Sequence, residues 1–142
     1  MYKEAIKDAI SMHELPSKWK SDLLVEANKV TEKKKTAKYR KDLRNLPFAT
    51  IDGEDAKDFD DAVYCIKNAA DYKLFVAIAD VSFYVEPGSK LDNEAKKRGT
   101  SIYFPGTVIP MLPESLSNGI CSLRPNEDRC SMICEMTIGL DG

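Results

Sequence analysis

Between Asp52 and Asp61 the chain places six acidic residues in ten positions, with Lys57 as the single opposing charge. Such a run resists burial, because neighbouring carboxylates repel at about 1–4 kcal/mol per close pair depending on screening. The run must therefore sit at a surface, and its flanks decide its shape. On the N-terminal side Leu46 to Ile51 reads as a short buried strand, and on the other side Ala62 to Ile66 reads as a second. A loop pinned at both ends brings its carboxylates together, and a bound divalent cation is the commonest way to offset their repulsion.

The strand after the acidic loop has a partner. Asn68-Ala69-Ala70-Asp71 carries a turn signal, and Tyr72 to Val81 returns as a long apolar strand. Ser89 is placed to cap a helix from Lys90 to Arg98 that Gly99 stops. A strand follows over Ser101 to Phe104, broken at Pro105-Gly106, and Glu114 to Ser117 forms a helical turn after Pro110 and Pro113. Met132, Cys134, Met136, Ile138 and Leu140 alternate with their neighbours, the pattern of a half-buried strand ending on the turn signal Asp141-Gly142.

Ahead of the acidic loop, Ala5, Ile6, Ala9 and Ile10 make a short helical stripe. Pro16 and Ser17 look like the entry of a second helix, with Trp19, Leu23, Ala27 and Val30 on one core-facing side. The expected fold is α+β: a helical N-terminal arm, then a mixed, largely antiparallel sheet with one or two packed helices. The expected division is residues 1–41 as a helical, basic lead-in and 42–142 as the first part of a catalytic domain.

The 142 residues, 43% hydrophobic and 31% charged, suit one domain with a real core rather than a disordered chain. No apolar run is long enough to cross a bilayer, and the first residues mix charge signs where a signal peptide would be apolar. A soluble, cytoplasmic protein is expected, with four reduced, largely buried thiols at Cys65, Cys121, Cys130 and Cys134. None of these makes a closely spaced thiolate pair, which argues against zinc.

The net charge of −2 hides an asymmetry, +5 over residues 1–45 against −7 over 46–142. Seven of the twelve positions from Lys33 to Arg44 are Lys or Arg. That run is suited to tracking a phosphate backbone, and equally to serving as a solvated linker.

In an extended chain Asp58 and Asp60 share a side and Asp61 points across, while Asp52 folds back over Gly53. Oxygen donors without histidine or thiolate select a hard cation, Mg2+ or Mn2+, and such a site suits phosphoryl chemistry. A calcium EF-hand loop starting at Asp58 fails, because its fifth and twelfth positions are Ala62 and Ala69. A merely solvated acidic turn remains open, as does an aspartyl-phosphate strand, although the residues before Asp58 are charged or small rather than apolar.

Asp42-Leu43-Arg44-Asn45-Leu46-Pro47-Phe48 followed by the run from Thr50 to Tyr64 resembles the ribonuclease II (RNB) family. Val76 to Ser82, Gly99 to Pro105, Val108 to Pro113 and Leu116 to Leu123 extend the likeness, which is dense over 42–142 and weaker through His13-Glu14-Leu15-Pro16 and Trp19. The resemblance implies a hydrolytic exoribonuclease that degrades single-stranded RNA from its 3′ end to nucleoside 5′-monophosphates, acting on RNA rather than DNA. It implies Mg2+, with Mn2+ a plausible substitute, at Asp52, Asp58, Asp60 and Asp61, and Asp60 as the residue whose loss most damages catalysis. It makes Tyr103 the aromatic that stacks on a base near the scissile 3′ end, and Asp80 a support of the fold. The family's later catalytic segment and its cold-shock and S1 modules lie outside these residues. The chain alone is therefore expected to bind RNA weakly and to lack part of the catalytic centre. The alternative is a non-catalytic RNA- or protein-binding module that keeps the scaffold.

Overall fold

Two neighbouring stretches rich in β-branched and aromatic residues form the first pair of strands, as their composition favours. In the computed structural model, which describes residues 2–32 and 39–142, β1 (Asp61–Lys67) runs antiparallel to β2 (Asp71–Ala79), with Asp61 opposite Ile78 and Lys67 opposite Tyr72. The turn is closed by the Asn68 N–H donating to the Asp71 carbonyl at 2.8 Å. A distant strand, β5 (Ser131–Gly139), adds to the other side of β2, giving an all-antiparallel sheet of order β1-β2-β5.

The two faces of this sheet differ. Tyr64 stacks on Phe75 across one face, and Phe48 tilts against Tyr64 with ring centres 6.1 Å apart. Directly paired residues share a face, so the opposite one collects Val63, Cys65, Leu74, Val76, Ile78, Met132 and Cys134. This side stays partly open, with Ile78 and Met132 exposed. Contrary to expectation, two of the four thiols lie outside the core. All four cysteines are free, Cys121 is buried and Cys130 half-buried, but Cys65 and Cys134 are exposed because register puts them on the uncovered face.

Leu46 to Ile51 is not a strand. Only Ala49 pairs with β1, exchanging both backbone bonds with Val63 at 2.9 and 2.8 Å, and Ile51 is exposed. Pro47 has no N–H to give a ladder, so the pairing cannot extend in that direction.

The hydrophobic core lies beside the sheet. α1 (Tyr2–Met12) buries nothing, although it carries its apolar stripe. α2 (Ser21–Glu32) buries Leu23 and Ala27 against Tyr84, Val85, Leu91, Leu112, Leu116 and Cys121, with Trp19 and Val30 packed around them. Each fully buried leucine contributes about 1.5–3 kcal/mol of transfer free energy. Ser17 does not cap this helix. Its N–H bonds to the Leu15 carbonyl, and the helix starts later, where Leu23 and Leu24 both donate to the Lys20 carbonyl. Since α2 shares one core with residues 84–121, packing joins the N-terminal lead-in to the region that carries the family motifs. Of the basic run, 33–38 lie outside the described residues, while Arg40 and Arg44 are engaged in ion pairs with Asp80 and with Asp42 and Asp128.

After β2 the chain stops being a strand two residues earlier than its apolar run does. Asp80 accepts the Phe83 N–H and caps a short helix, α3 (Val81–Tyr84). α4 (Lys90–Arg98) starts on Ser89, whose hydroxyl accepts the Asp92 N–H, and ends at Gly99, whose φ of 74° suits glycine. Arg98 is buried, stacked 3.5 Å from the Trp19 ring, and donates to Glu94 and to the carbonyls of Pro110 and Lys18. A small hairpin comes next, β3 (Ile102–Phe104) with β4 (Thr107–Ile109), turning at Pro105-Gly106. The helical turn expected at Glu114–Ser117 forms, with the Ser117 N–H on the Pro113 carbonyl at 3.0 Å, and runs into a π-helical turn over Leu116–Ile120 that is kinked at Gly119 and packed against α2. Among the described residues, no helix is long and apolar enough to cross a membrane.

Candidate functional site

The acidic loop ends where the sheet begins. The Asp60 carbonyl accepts the Ala79 N–H at 2.8 Å, and Asp61 is the first residue of β1. Successive positions of an extended ladder face opposite ways, so Asp60 and Asp61 point to different sides. Further back the loop makes a turn in which the Ala56 N–H reaches the Gly53 carbonyl at 3.0 Å. Asp52, Asp60 and Asp61 are exposed and Asp58 is half-buried.

The four aspartates feel one another at Asp60. Although Asp60 is exposed, desolvation of its carboxyl by surrounding protein, followed by the negative charges of Asp58, Asp61 and Asp52, raises its pKa above the ordinary carboxylate value. Among the described residues, however, no three acidic, histidine or cysteine side chains are gathered in a group able to hold a metal ion. The donor chemistry suits a hard cation, since it offers carboxylate oxygens only. The donor type is that of a hard-cation site, but the four side chains are not gathered into a cage.

Tyr103 stands next to the loop. Its O–H donates to Asp58 Oδ2 at 2.6 Å, and its ring, on β3, remains 62% exposed. That bond to Asp58, then burial and the Asp58 charge, raise the phenol's pKa. Sequence reading placed Tyr103 near the site only through a family likeness; the structure brings the two residues into contact.

Asp80 takes the structural role expected of it. Its carboxylate is 5% exposed and accepts from Arg40, from the Ser82 hydroxyl at 2.7 Å and from the Phe83 N–H at 3.1 Å. Burial raises its pKa, but the bonds from Ser82 and Arg40, the Arg40 charge and the Phe83 N–H outweigh that and hold it below the usual range. Arg40 also lies over the Phe83 ring at 4.5 Å.

Two residues near the loop escaped sequence reading. Ser122, 1% exposed, accepts the Phe59 N–H at 3.0 Å and donates to the Lys57 carbonyl at 2.8 Å, and the neighbouring Leu123 N–H reaches the Phe59 carbonyl at 2.9 Å. Arg129 Nε–H in turn donates to the Ser122 carbonyl at 2.8 Å. The available signal was the position of Ser122 inside the Leu116–Leu123 motif, which says nothing about a partner 63 residues away.

The acidic loop thus opens onto an antiparallel sheet, with an exposed tyrosine bonded to one of its carboxylates. The RNB domain model matches residues 40–142, and the chain belongs to the RNB domain family. It is similar to Ribonuclease R of Escherichia coli (strain K12), 53% identical across 97% of this chain and 17% of that protein. Two solved structures are similar as well. Mycoplasma genitalium RNase R in complex with double-stranded RNA superposes with a TM-score of 0.90 at 38% identity, over 95% of this chain and 24% of that one. The same protein in complex with ribose methylated single-stranded RNA gives 0.88 at 39% identity, over 95% and 21%. The chain thus spans about a sixth to a third of the length of the curated relatives it matches.

Proposed function

We propose that this RNB chain provides the metal-binding part of a hydrolytic 3′-to-5′ exoribonuclease that degrades single-stranded RNA to nucleoside 5′-monophosphates. The observation that carries the reading is the match of the RNB domain model over residues 40–142, which include Asp52, Asp58, Asp60 and Asp61, with an exposed Tyr103 bonded to Asp58. Asp52, Asp58 and Asp61, together with Asp60, would hold Mg2+ or Mn2+, which when bound supplies neutralisation of phosphate charge and an activated water. Asp60 is the residue whose removal costs most catalysis. The Tyr103 ring offers a face on which a base near the 3′ end stacks, worth about 1–3 kcal/mol and indifferent to sequence. RNA as the substrate class is supported by the RNA-bound relatives. The −7 balance of residues 46–142 repels RNA, so strand binding depends on neutralising these aspartates and on basic surface elsewhere.

Calorimetric titration of Mg2+ or Mn2+ should give weaker binding in Asp52→Asn and Asp61→Asn than in wild type. Equal affinity in all three refutes the metal assignment. A chimera carrying residues 40–142 in place of the matching segment of the E. coli relative tests the activity. It should shorten labelled single-stranded RNA to mononucleotides with Mg2+ and lose this with Asp60→Asn. A folded chimera that binds RNA without cutting it would instead leave the non-catalytic module.

A further inference from the structure

We propose that the open face of the β1-β2-β5 sheet is the seat of an amphipathic α-helix supplied by the part of an RNB protein that this chain does not span. In register, every residue of that face is apolar except Asp61 and Lys67, at the two ends of β1. Among the described residues none of them is buried, while the opposite face buries Ala62, Phe75, Ala77 and Ala79. An antiparallel sheet with one face in water alternates apolar and polar residues, whereas a strand covered on both sides is apolar throughout. β2 follows the second pattern, with Lys73 the single polar residue from Tyr72 to Ala79. Ile78 and Met132, 47% and 63% exposed, are directly paired rather than scattered, and contiguous apolar surface of this kind marks an interaction site.

Shape and charge select the occupant. From Tyr72 to Ile78 the face is about 20 Å long, and its three strands make it about 14 Å wide. One α-helix, about 10–12 Å across and rising about 1.5 Å per residue, covers it with about four turns. A nucleic-acid strand fits poorly, because Lys67 is the face's only cation among the described residues and Asp61 adds a negative charge. Lys67 is moreover set over the Tyr72 ring at 5.8 Å. The longer relatives have chain to spare for the helix. The E. coli relative is matched over 17% of its length, and the M. genitalium structure carries the same frame in a chain of which this one covers 24%. Asp61, Ile78 and Met132 form one row across the sheet, so a helix seated there borders the acidic loop. The inference is independent of whether that loop holds an ion.

The test compares two molecules: the 142-residue chain, and a chimera with this chain in place of the matching segment of the E. coli relative. Cys65 and Cys134, exposed on the face, serve as probes, and buried Cys121 reports folding. N-ethylmaleimide labelling of both probes, located by mass spectrometry, should be about tenfold slower in the chimera than in the chain, with Cys121 slow in both. Met132→Lys should lower the chimera's Tm by about 5 °C and leave that of the chain within about 1 °C. It should also speed amide hydrogen exchange in one host stretch of about 14 residues. Faster exchange confined to this chain refutes the host helix. Probe rates in a folded chimera within about twofold of those in the chain overturn the proposal, as does Met132→Lys that is neutral in the chimera. Probe protection in the chain that vanishes on dilution gives the face to a second copy, and protection of the chimera only with added RNA gives it to nucleic acid. Either result overturns the helix. If fast Cys121 labelling shows the chimera to be misfolded, the same swap into the M. genitalium relative repeats the measurements, with the same outcomes deciding.

Discussion

Replacing Asp80 with alanine removes one acceptor shared by three donors and tests how firmly the loop's exit is anchored. Asp80 follows Ala79, whose N–H holds the Asp60 carbonyl, and its own N–H reaches the Cys130 carbonyl at 3.0 Å. The charge-assisted bond from Arg40 is worth about 1.5–3 kcal/mol. Loss of the Phe83 cap adds about 1 kcal/mol. The Arg40 side chain is 31% exposed and can turn to solvent, so the 3–5 kcal/mol typical of orphaning a fully buried charge is not reached. The expected loss is about 3 kcal/mol, or roughly 10 °C in Tm, read by urea and thermal unfolding followed by circular dichroism. The sign with pH comes from the depressed folded pKa of Asp80. Its stabilisation is present above the unfolded value of about 3.9 and lost as pH falls through the folded one. The gap between wild type and Asp80→Ala should therefore be full at pH 7 and shrink below about pH 4, leaving the cap contribution. A gap under about 1 kcal/mol at pH 7, or one that stays constant under acid, refutes the reasoning.

Asp60→Asn should stabilise the chain in the absence of divalent ions. A carboxyl whose pKa is raised on folding binds its proton more tightly in the native state, so it costs stability as pH rises through about 4. Removing it should gain up to about 1 kcal/mol at pH 7 after allowance for solvent screening, and a fall in Tm contradicts this. Arg98→Ala should cost about 3 kcal/mol, because a side chain only 2% exposed loses its stack on Trp19 and leaves the Pro110 and Lys18 carbonyls without a partner. Trp19 is the only tryptophan, so its emission should shift to the red in the folded variant, and an unchanged spectrum sinks the stacking claim.

Elements whose signals are local were legible in advance. α4 has the bounds that Ser89 and Gly99 imply, since a cap and a left-handed stop act within one turn of chain. The β1–β2 hairpin and the alternation of β5 were legible for the same reason, as was the identity of the acidic residues. The strand expected at Leu46–Ile51 failed because a strand exists only where a neighbour accepts its hydrogen bonds, and β1 accepts them at Ala49 alone. Cys65 and Cys134 read as core thiols from sequence, but register places them at exposed positions of the sheet face that stays partly open.

Legible from residue order alone were the carboxylates at Asp52, Asp58, Asp60 and Asp61 as candidates and the antiparallel α+β frame around them. Residue types and spacing carry that information, because ionisation and strand periodicity are properties of neighbouring residues. Which residues steady the loop became visible only once the chain was folded. Ser122 reaches Phe59 across 63 positions of chain and Tyr103 reaches Asp58 across 45, and no local signal encodes a hydrogen bond closed over such a span.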